Sequence, residues 1–325
     1  TYTAINIPYS ALGGVLTSNP EERVSIQSYR FVFGMLGGLI VAACTMPLVA
    51  WFGEGNAAKG YQSTMTAMSI LGVILFLLCF IGTKERISQP RAKESSYKED
   101  FKLLWKNDQW RILCLAGVFL LTGQVLRATL AVYYIKYFLL VEQHITTFLT
   151  IGMIGSILGC SLSQQLAKRV CKIKAYISLQ LISATLCIIS YWINETQIIT
   201  AFVLYFFWNF FLQMATPLLW SKMIDTIDYG QWKTGIRLNG TIFSAIVFFI
   251  KLGVALGGAI AGWLLAYYGY QADIEQSQET KQGILLSFTI FPAMGSLLVA
   301  WVMRWYILDN KTVKKIHREL NLSTD

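Results

Sequence analysis

The sequence predicts an all-α polytopic membrane protein, and its composition gives the first reasons. Of 325 residues, 55% are hydrophobic and only 14% are charged, and the mean hydropathy is +0.50. A soluble domain has about a quarter of its residues charged, so this chain is too apolar for one soluble core. Only 6 prolines are present and the 6 cysteines are widely spread, which excludes disorder, collagen and a disulfide-stapled mini-protein. The sequence shows no metal-ligand cluster, nucleophile elbow or phosphate loop, so we predict no metal site and no catalytic residue.

Long apolar runs divide the chain into membrane spans, each of which needs about 20 residues. They predict eight whole spans after a short N-terminal stub. Residues 18–22 combine an N-cap, a first-turn proline and two acids, so the first whole helix is predicted to begin near Pro20. The stub ends near Leu16, and the apolar runs cover residues 28–52, 64–83, 112–139, 145–167, 175–193, 197–223, 239–268 and 284–307.

Basic residues are distributed asymmetrically among the loops. Of the 27 Lys and Arg residues, 21 fall on one side of the predicted topology and 2 on the other, with four inside spans. By the positive-inside rule, the first side faces the cytoplasm and includes the C-terminus. The net charge of +9 therefore reflects topology, and we expect no nucleic-acid partner.

This topology divides the chain into four segments. Residues 84–109 form a charged cytoplasmic linker with a short amphipathic helix around residues 97–105. Residues 110–307 form a six-helix bundle, and residues 308–325 form a cytoplasmic tail. Six helices after a long basic loop are typical of a transporter with two six-helix halves. Residues 1–83 are then the remainder of an N-terminal bundle, with part of helix 4 and helices 5 and 6, and about the first three and a half helices are missing.

Five ordered motifs resemble those of a known transporter family. They lie at residues 2–12, 28–31, 133–137, 217–220, and 225–230 followed by 234–237. Together they resemble the glycoside-pentoside-hexuronide:cation symporters, the melibiose permease family of the major facilitator superfamily. The resemblance implies a major facilitator-type two-bundle helical fold in the cell inner membrane. It also implies a transporter, not an enzyme, that moves a sugar or glycoside with a proton or sodium ion by alternating access; we expect a monomer without a further cofactor.

Cations at mid-depth in the membrane are candidate substrate-binding residues. A charge there costs at least about 2.5 to 3.5 kcal/mol, and Arg127 and Lys251 lie within a few residues of their helix centres. Arg30 would lie about 15 Å along its helix. The resemblance implies that Arg30 and Lys251 contact the sugar, whereas a structural ion pair is the alternative for Lys251. Because these charges are all positive, the sequence favours an anionic sugar, such as a hexuronide or a sulfonated sugar.

The N-terminal stub matches positions of the family's sugar and cation sites. Tyr2 corresponds to a tyrosine of the sugar site and Thr3 to a threonine of the cation site. Asn6 stands where melibiose permease has an aspartate, so a sugar contact is kept but a charge is lost, and this favours a proton over sodium. Ser10 replaces a tryptophan that stacks on the sugar, which indicates a different sugar class. Ordinary helix packing is the alternative role for the hydroxyl groups of Thr3 and Ser10.

Two polar stripes at helical spacing predict the lining of a central cavity. We expect Asn209, Gln213 and Tyr134 to bind the sugar through these stripes. Hydrogen bonds between helices would use the same residue types and are the alternative. The stripes consist of Asn209, Gln213, Thr216 and Trp220 in one span, and of Gln124, Arg127 and Tyr134 in another.

Two acids lie near the cytoplasmic end of a span, among basic residues. We interpret Asp225, Asp228 and Arg237 as a salt-bridged gate, and Lys222 and Lys233 lie close by in the sequence. A solvated, charge-balanced loop is the alternative. An intramembrane prenyl- or glycosyl-transferase would instead use Asp225 and Asp228 as a magnesium site, although such sites usually hold more acids. A passive channel and a signalling relative without transport are further alternatives.

Glycines spaced four residues apart predict close contacts between helices that must rock or slide. Three such pairs occur, at residues 155 and 159, 253 and 257, and 258 and 262.

Overall fold

The computed structural model describes residues 2–17, 19–84, 97–272 and 274–320, and these ranges contain helices and no strand. Short π and 3₁₀ segments follow several of the helices, notably at Tyr134–Phe138 and Met303–Trp305. The α-helices are α1 (Tyr2–Leu16), α2 (Pro20–Gly53), α3 (Ala57–Gly82), α4 (Tyr97–Lys106), α5 (Asp108–Tyr133), α6 (Ile145–Arg169), α7 (Lys172–Ile189), α8 (Ile198–Thr234), α9 (Asn239–Tyr267), α10 (Gln278–Phe288), α11 (Ile290–Val302) and α12 (Asn310–Glu319).

Eight helical segments within the described ranges are long and apolar enough to cross a membrane. This number confirms the predicted all-α polytopic class. The bounds differ most at α8, which continues as one helix to Thr234, eleven residues beyond the predicted end of the span. The prediction followed the loss of apolar side chains, whereas the backbone hydrogen bonds of a helix continue into polar sequence. The last span is interrupted at Thr289, which separates α10 from α11.

The start of α2 is the one that the sequence predicts. The side chain of Asn19 accepts a hydrogen bond from the Glu21 backbone N–H at 2.9 Å, and Pro20 occupies the first turn. Glu22 also accepts a hydrogen bond from Thr17 at 2.6 Å. These contacts fix the register of α2, so the position of each later side chain along the helix is fixed as well.

Glycines allow two helix pairs to pack at backbone contact. A Cβ at Gly155 of α6 would lie 2.6 Å from the Phe206 carbonyl of α8, and one at Gly257 of α9 would lie 2.8 Å from the Thr122 carbonyl of α5. The predicted close contacts are therefore confirmed for the first two glycine pairs. The third pair makes no such contact within the described part of the chain, because a Cβ at Gly258 would meet nothing within 4 Å there.

Charged ends of several helices meet at one end of the bundle. There the first turns of α2, α5 and α7 lie against the last turns of α8 and against α12. We call this the basic end and define it by Arg23, Lys172, Lys222, Lys233 and Arg237. At the opposite end Lys136 forms an ion pair with Glu142 at 3.1 Å.

The glycine contacts give the first testable prediction. We expect Gly159→Ala to lower the free energy of unfolding by about 1–3 kcal/mol, because its Cβ would collide with the Phe210 carbonyl of α8. Thermal unfolding of the purified protein measures this. Gly258→Ala is the matched control, and it should be neutral or slightly stabilising, since alanine is the better helix former. Equal effects of the two substitutions would contradict the close α6–α8 contact.

Candidate functional site

A buried arginine joins α2 to α8 at the basic end. Arg23 Nη1 donates to Asp225 Oδ1 at 3.0 Å and to Asp228 Oδ2 at 2.8 Å, and all three side chains are at most 1% exposed. Arg23 Nε also donates to the Thr17 carbonyl at 3.2 Å. One guanidinium thus links both carboxylates of α8 to the segment that precedes α2.

Asp228 has two further partners outside α2, Arg237 and His317. Arg237 Nη1 donates to Asp228 Oδ1 at 2.8 Å, and His317 Nε2 of α12 lies 2.8 Å from Asp228 Oδ2. Because a carboxylate only accepts, His317 donates through Nε2. We call the set of Arg23, Asp225, Asp228, Arg237 and His317 the ionic lock.

Hydrogen bonds from neighbouring helices hold the frame around the ionic lock. Asn107 caps α5 through Trp110 N–H at 3.0 Å and donates to the Thr226 carbonyl of α8 at 2.8 Å. Lys233 of α8 forms an ion pair with Asp108, the first residue of α5. The ends of α5 and α8 are therefore tied together on the same side as the ionic lock.

The tail helix α12 is fixed by its own cap and by α8. Asp309 accepts a hydrogen bond from Thr312 N–H at 2.7 Å, and hydrogen bonds from Thr312 hold the pKa of the Asp309 carboxyl below its usual range. Trp232 of α8 donates to Glu319 at 2.6 Å. These contacts place His317 in the ionic lock.

The structure brings the three predicted gate residues together but adds partners that the sequence did not reveal. Arg23 and His317 contact the acids, whereas Lys233, which lies close by in the sequence, pairs with Asp108. Arg23 could have been found, since it lies in the first turn of a helix whose start the sequence predicts. His317 could not, because no local pattern folds the tail back onto α8.

A second polar cluster surrounds Arg30, further along α2. Its Nη2 donates to Ser10 Oγ of α1 at 3.0 Å, and its Nη1 donates to Gln27 Oε1 at 3.4 Å. The guanidinium carbon lies 4.9 Å from the centre of the Trp220 ring of α8. Ser10 in turn donates to Asn6 Oδ1 at 3.5 Å. Donors, acceptors and an indole face are the groups that recognise sugar hydroxyls and a sugar ring.

This cluster opens into a groove between α1, α2 and α3. The groove has a volume of about 920 Å³, and both Asn6 and Arg30 line it. Sites for small molecules commonly enclose about 300 to 1,000 Å³ and combine an apolar wall with a few polar groups. The groove fits that description, because its other walls include apolar side chains such as Ile26 and Leu75.

The ionic lock and the groove lie along one face of α2. Arg23, Gln27 and Arg30 are spaced by four and three residues, which places them on the same side of the helix. Arg23 and Arg30 are thus about two turns apart, or about 10 Å. On α8, Asp228 and Trp220 meet the same face of α2. A shift of α2 against α8 would move both sets of contacts together.

The structure places Arg127 and Tyr134 away from the groove. Arg127 is 1% exposed, its guanidinium carbon lies 4.5 Å from the Trp208 ring and 4.3 Å from the Phe288 ring, and it donates to Cys187 Sγ. Tyr134 stacks on Phe288 at 4.2 Å. Arg127 is enclosed by side chains of α7, α8 and α10, and Tyr134 by rings of α6 and α10. A substrate contact for either residue stays a prediction.

The other predicted sugar residues lie on two further surfaces. Asn209 lies at the α6–α8 contact, where it accepts a hydrogen bond from Ser156 at 3.5 Å, and Gln213 accepts one from Thr216 at 2.9 Å. Lys251 is exposed on α9, which packs against α1. Their contact with a sugar is untested by the geometry.

Two predicted residues lie at the beginning of α1. Tyr2 and Thr3 belong to its first turn. The positions of their side chains fall outside what the structure describes, as do residues 85–96 of the predicted linker.

Comparisons with known proteins agree with the helical architecture. A family profile described as MFS/sugar transport protein matches residues 1–310. The chain belongs to this family. Its relatives confirm the resemblance to glycoside-pentoside-hexuronide:cation symporters.

Curated relatives match nearly the whole chain. The inner membrane symporter YicJ of Escherichia coli strain K12 is 36% identical over 98% of this chain and 70% of its own length. The putative glycoside/cation symporter YagG of the same strain is 32% identical, with the same shares covered. The isoprimeverose transporter of Lactiplantibacillus pentosus is 29% identical over 95% of this chain and 65% of its own length.

Solved structures show the same fold. The E. coli fucose:proton symporter FucP superposes with a TM-score of 0.67 at 15% identity, and the match covers 93% of this chain and 73% of FucP. Together with the eight apolar helices and the inner membrane relatives, this identifies a multi-pass inner membrane protein of the major facilitator type.

The burial of the ionic lock gives a second testable prediction. We expect Asp228→Asn to lower the free energy of unfolding by about 3–5 kcal/mol, because Arg23 and Arg237 would lose the charge they share. Thermal unfolding in detergent measures this. Glu54→Gln is the control, because the ion pair of Glu54 with Lys59 at 3.8 Å is exposed. Its loss should lower the free energy of unfolding by about 1 kcal/mol or less. Similar losses in the two variants would show that the ionic lock carries no special stability.

Proposed function

We propose that this protein is a cation-coupled symporter for a sugar or glycoside and works by alternating access. The basic end faces the cytoplasm in this proposal, and the C-terminus lies on the same side. The observation that carries the proposal is the buried Arg23 bridge between α2 and α8, two helical turns from the groove that Arg30 lines. The ionic lock is the cytoplasmic gate, and in this structure it is closed.

The Arg30 cluster has the chemistry of a sugar site. Arg30, Asn6 and Gln27 offer hydrogen-bond donors and acceptors for hydroxyl groups, and Trp220 offers a ring face. Arg30 and Trp220 belong to different helices that also carry the two sides of the ionic lock. A sugar that draws Arg30 away from Trp220 would therefore also strain the Arg23 contacts with Asp225 and Asp228.

The environment of the two acids favours a gate over a magnesium site. Every carboxylate oxygen that the ionic lock uses already accepts a hydrogen bond from Arg23, Arg237 or His317. A metal would have to displace these three side chains from the carboxylates. The transferase alternative therefore has little support, and membership of a transporter family favours transport as well.

The charge of the substrate is the finer part of the proposal. We favour an anionic sugar because Arg30, Arg127 and Lys251 are all cationic. One relative, at 29% identity, is named a putative sulfoquinovose importer, and another an isoprimeverose transporter. The relatives thus include names of both an acidic and a neutral sugar, so uptake has to decide between them.

Uptake by vesicles that contain the full chain tests the sugar site. We expect Arg30→Gln to reduce uptake at least about tenfold, because one charge-assisted hydrogen bond contributes about 1.5–3 kcal/mol. Arg111→Gln, an exposed arginine near the linker, is the control and should keep wild-type uptake. Unchanged uptake in Arg30→Gln would contradict the proposed site.

Competition between neutral and acidic glycosides tests the substrate class. If the sugar is anionic, acidic glycosides should compete in the wild type at least about tenfold better than neutral ones, and Arg30→Gln should remove this preference from the residual uptake, because only the acidic ones gain from the charge. Equal competition by both classes in the wild type would contradict an anionic substrate. Repeating uptake under an imposed proton gradient and then a sodium gradient identifies the coupling ion, and we expect the proton gradient to drive it.

A further inference from the structure

Lys222 is a fully buried lysine next to the ionic lock. Its side chain is 0% exposed, and its ammonium has no hydrogen-bond partner in the part of the chain that the structure describes. Its Nζ lies 4.8 Å from the centre of the Tyr306 ring. A buried ammonium without an acceptor is costly, so a lysine at this position needs a reason.

Asp225 is the carboxylate within reach of Lys222. It lies three residues further along α8, and side chains with this spacing are neighbours on a helix surface. The Asp225 carboxylate attracts the Lys222 ammonium, whereas the Lys172 ammonium of α7 repels it. A change of side-chain rotamer, without movement of the α8 backbone, would let Lys222 pair with Asp225.

The two acids of the ionic lock differ in what they would keep if α2 moved away. Asp228 would retain Arg237 and His317, which belong to its own bundle. Asp225 has Arg23 as its one ion-pair partner among the described residues, and Arg23 belongs to α2. Opening of the basic end would therefore separate Asp225 from Arg23, and loss of an ion-pair partner is unfavourable for a carboxylate beside the apolar interior.

We propose that Lys222 replaces Arg23 on Asp225 when the basic end opens, and that this exchange of partners lowers the cost of opening. The proposal rests on the ionic lock being the cytoplasmic gate, as proposed above. In the closed state Lys222 packs against Tyr306, and in the open state it pairs with Asp225 and neutralises it. The burial of Lys222 without a hydrogen-bond acceptor is therefore unfavourable only in the closed state.

The opening equilibrium can be measured directly in the full chain without any sugar. Spin labels at Glu21→Cys of α2 and Lys174→Cys of α7 report the distance between the two bundles at the basic end, since both positions are exposed. The background replaces Cys44, Cys79 and Cys171 by serine and keeps the three buried cysteines. The ratio of long to short distances gives the ratio of open to closed protein.

We expect the effect of Lys222→Met on the open-to-closed ratio to depend on both Arg23 and Asp225. Lys222→Met should lower the open-to-closed ratio about tenfold, as expected for loss of one charge-assisted hydrogen bond in the open state. In an Arg23→Gln background, Lys222 pairs with Asp225 in both states, so Lys222→Met should leave the ratio unchanged within about twofold. It should also have no effect in an Asp225→Asn background. Lys222→Arg should keep the wild-type ratio.

Lys172→Met is the matched control, because Lys172 is also a buried lysine near Asp225. We expect it to change the ratio less than about twofold. The exchange is overturned if Lys222→Met has no effect, has the same effect without Arg23 or Asp225, or is matched by Lys172→Met. If Lys222→Met does not fold, Lys222→Gln carries the same expectations.

These outcomes separate the exchange from the function on which it rests. An Arg23→Gln protein that stays closed would contradict the gate itself. An Arg23→Gln protein that opens, combined with a silent Lys222→Met, would contradict only the exchange. Absence of sugar uptake would contradict the proposed symport and would leave the distances unaffected.

Discussion

The guanidinium of Arg23 is the interaction on which the arrangement of the basic end depends. It contacts two carboxylates of another helix at 3.0 and 2.8 Å in a site closed to solvent. A buried charge pair contributes little net stability compared with apolar packing, but removal of one partner strongly destabilises the folded protein. Such a contact is therefore well suited to holding two bodies in one defined arrangement, which is what a gate requires.

The geometry of α2 extends this constraint to the groove. A single helix of 34 residues carries Arg23 at its first turn and Arg30 two turns later. The opposing helix α8 is also continuous, over 37 residues, and carries Asp228 and Trp220. Because helices move as stiff bodies, a displacement of α2 at the Arg30 cluster would also displace Arg23 in the ionic lock. Glycines at the α6–α8 and α5–α9 contacts fix the helices around this pair.

Much of this arrangement could be predicted from the sequence because its signals are local. Apolar run length predicted the spans, and the segment from Asn19 to Glu22 predicted the start of α2 and hence the depth of Arg30. The spacing of Asp225 and Asp228 among basic residues predicted a cluster of ion pairs. Spacing within one helix does not reveal which helix lies opposite, so Arg23 was overlooked as the partner.

Contacts between distant segments were beyond the reach of local patterns. The stripe that contains Arg127 and Tyr134 was expected to line a cavity, yet aromatic rings of α8 and α10 enclose it. The sequence of an apolar segment does not indicate which side chain of another helix an aromatic ring will pack against. The pairing of His317 with Asp228 spans 89 residues and depends on how the tail folds back.

The measurement that tests the gate most directly is the alkylation rate of a cysteine placed at Thr226, which is 0% exposed next to the ionic lock. A membrane-impermeant maleimide would be applied from the cytoplasmic side of inverted vesicles. We expect slow labelling in the resting protein, faster labelling when a transported glycoside is added, and fast labelling without glycoside in Arg23→Gln. Equally slow labelling in the Arg23→Gln protein would contradict the proposal that Arg23 keeps the basic end closed.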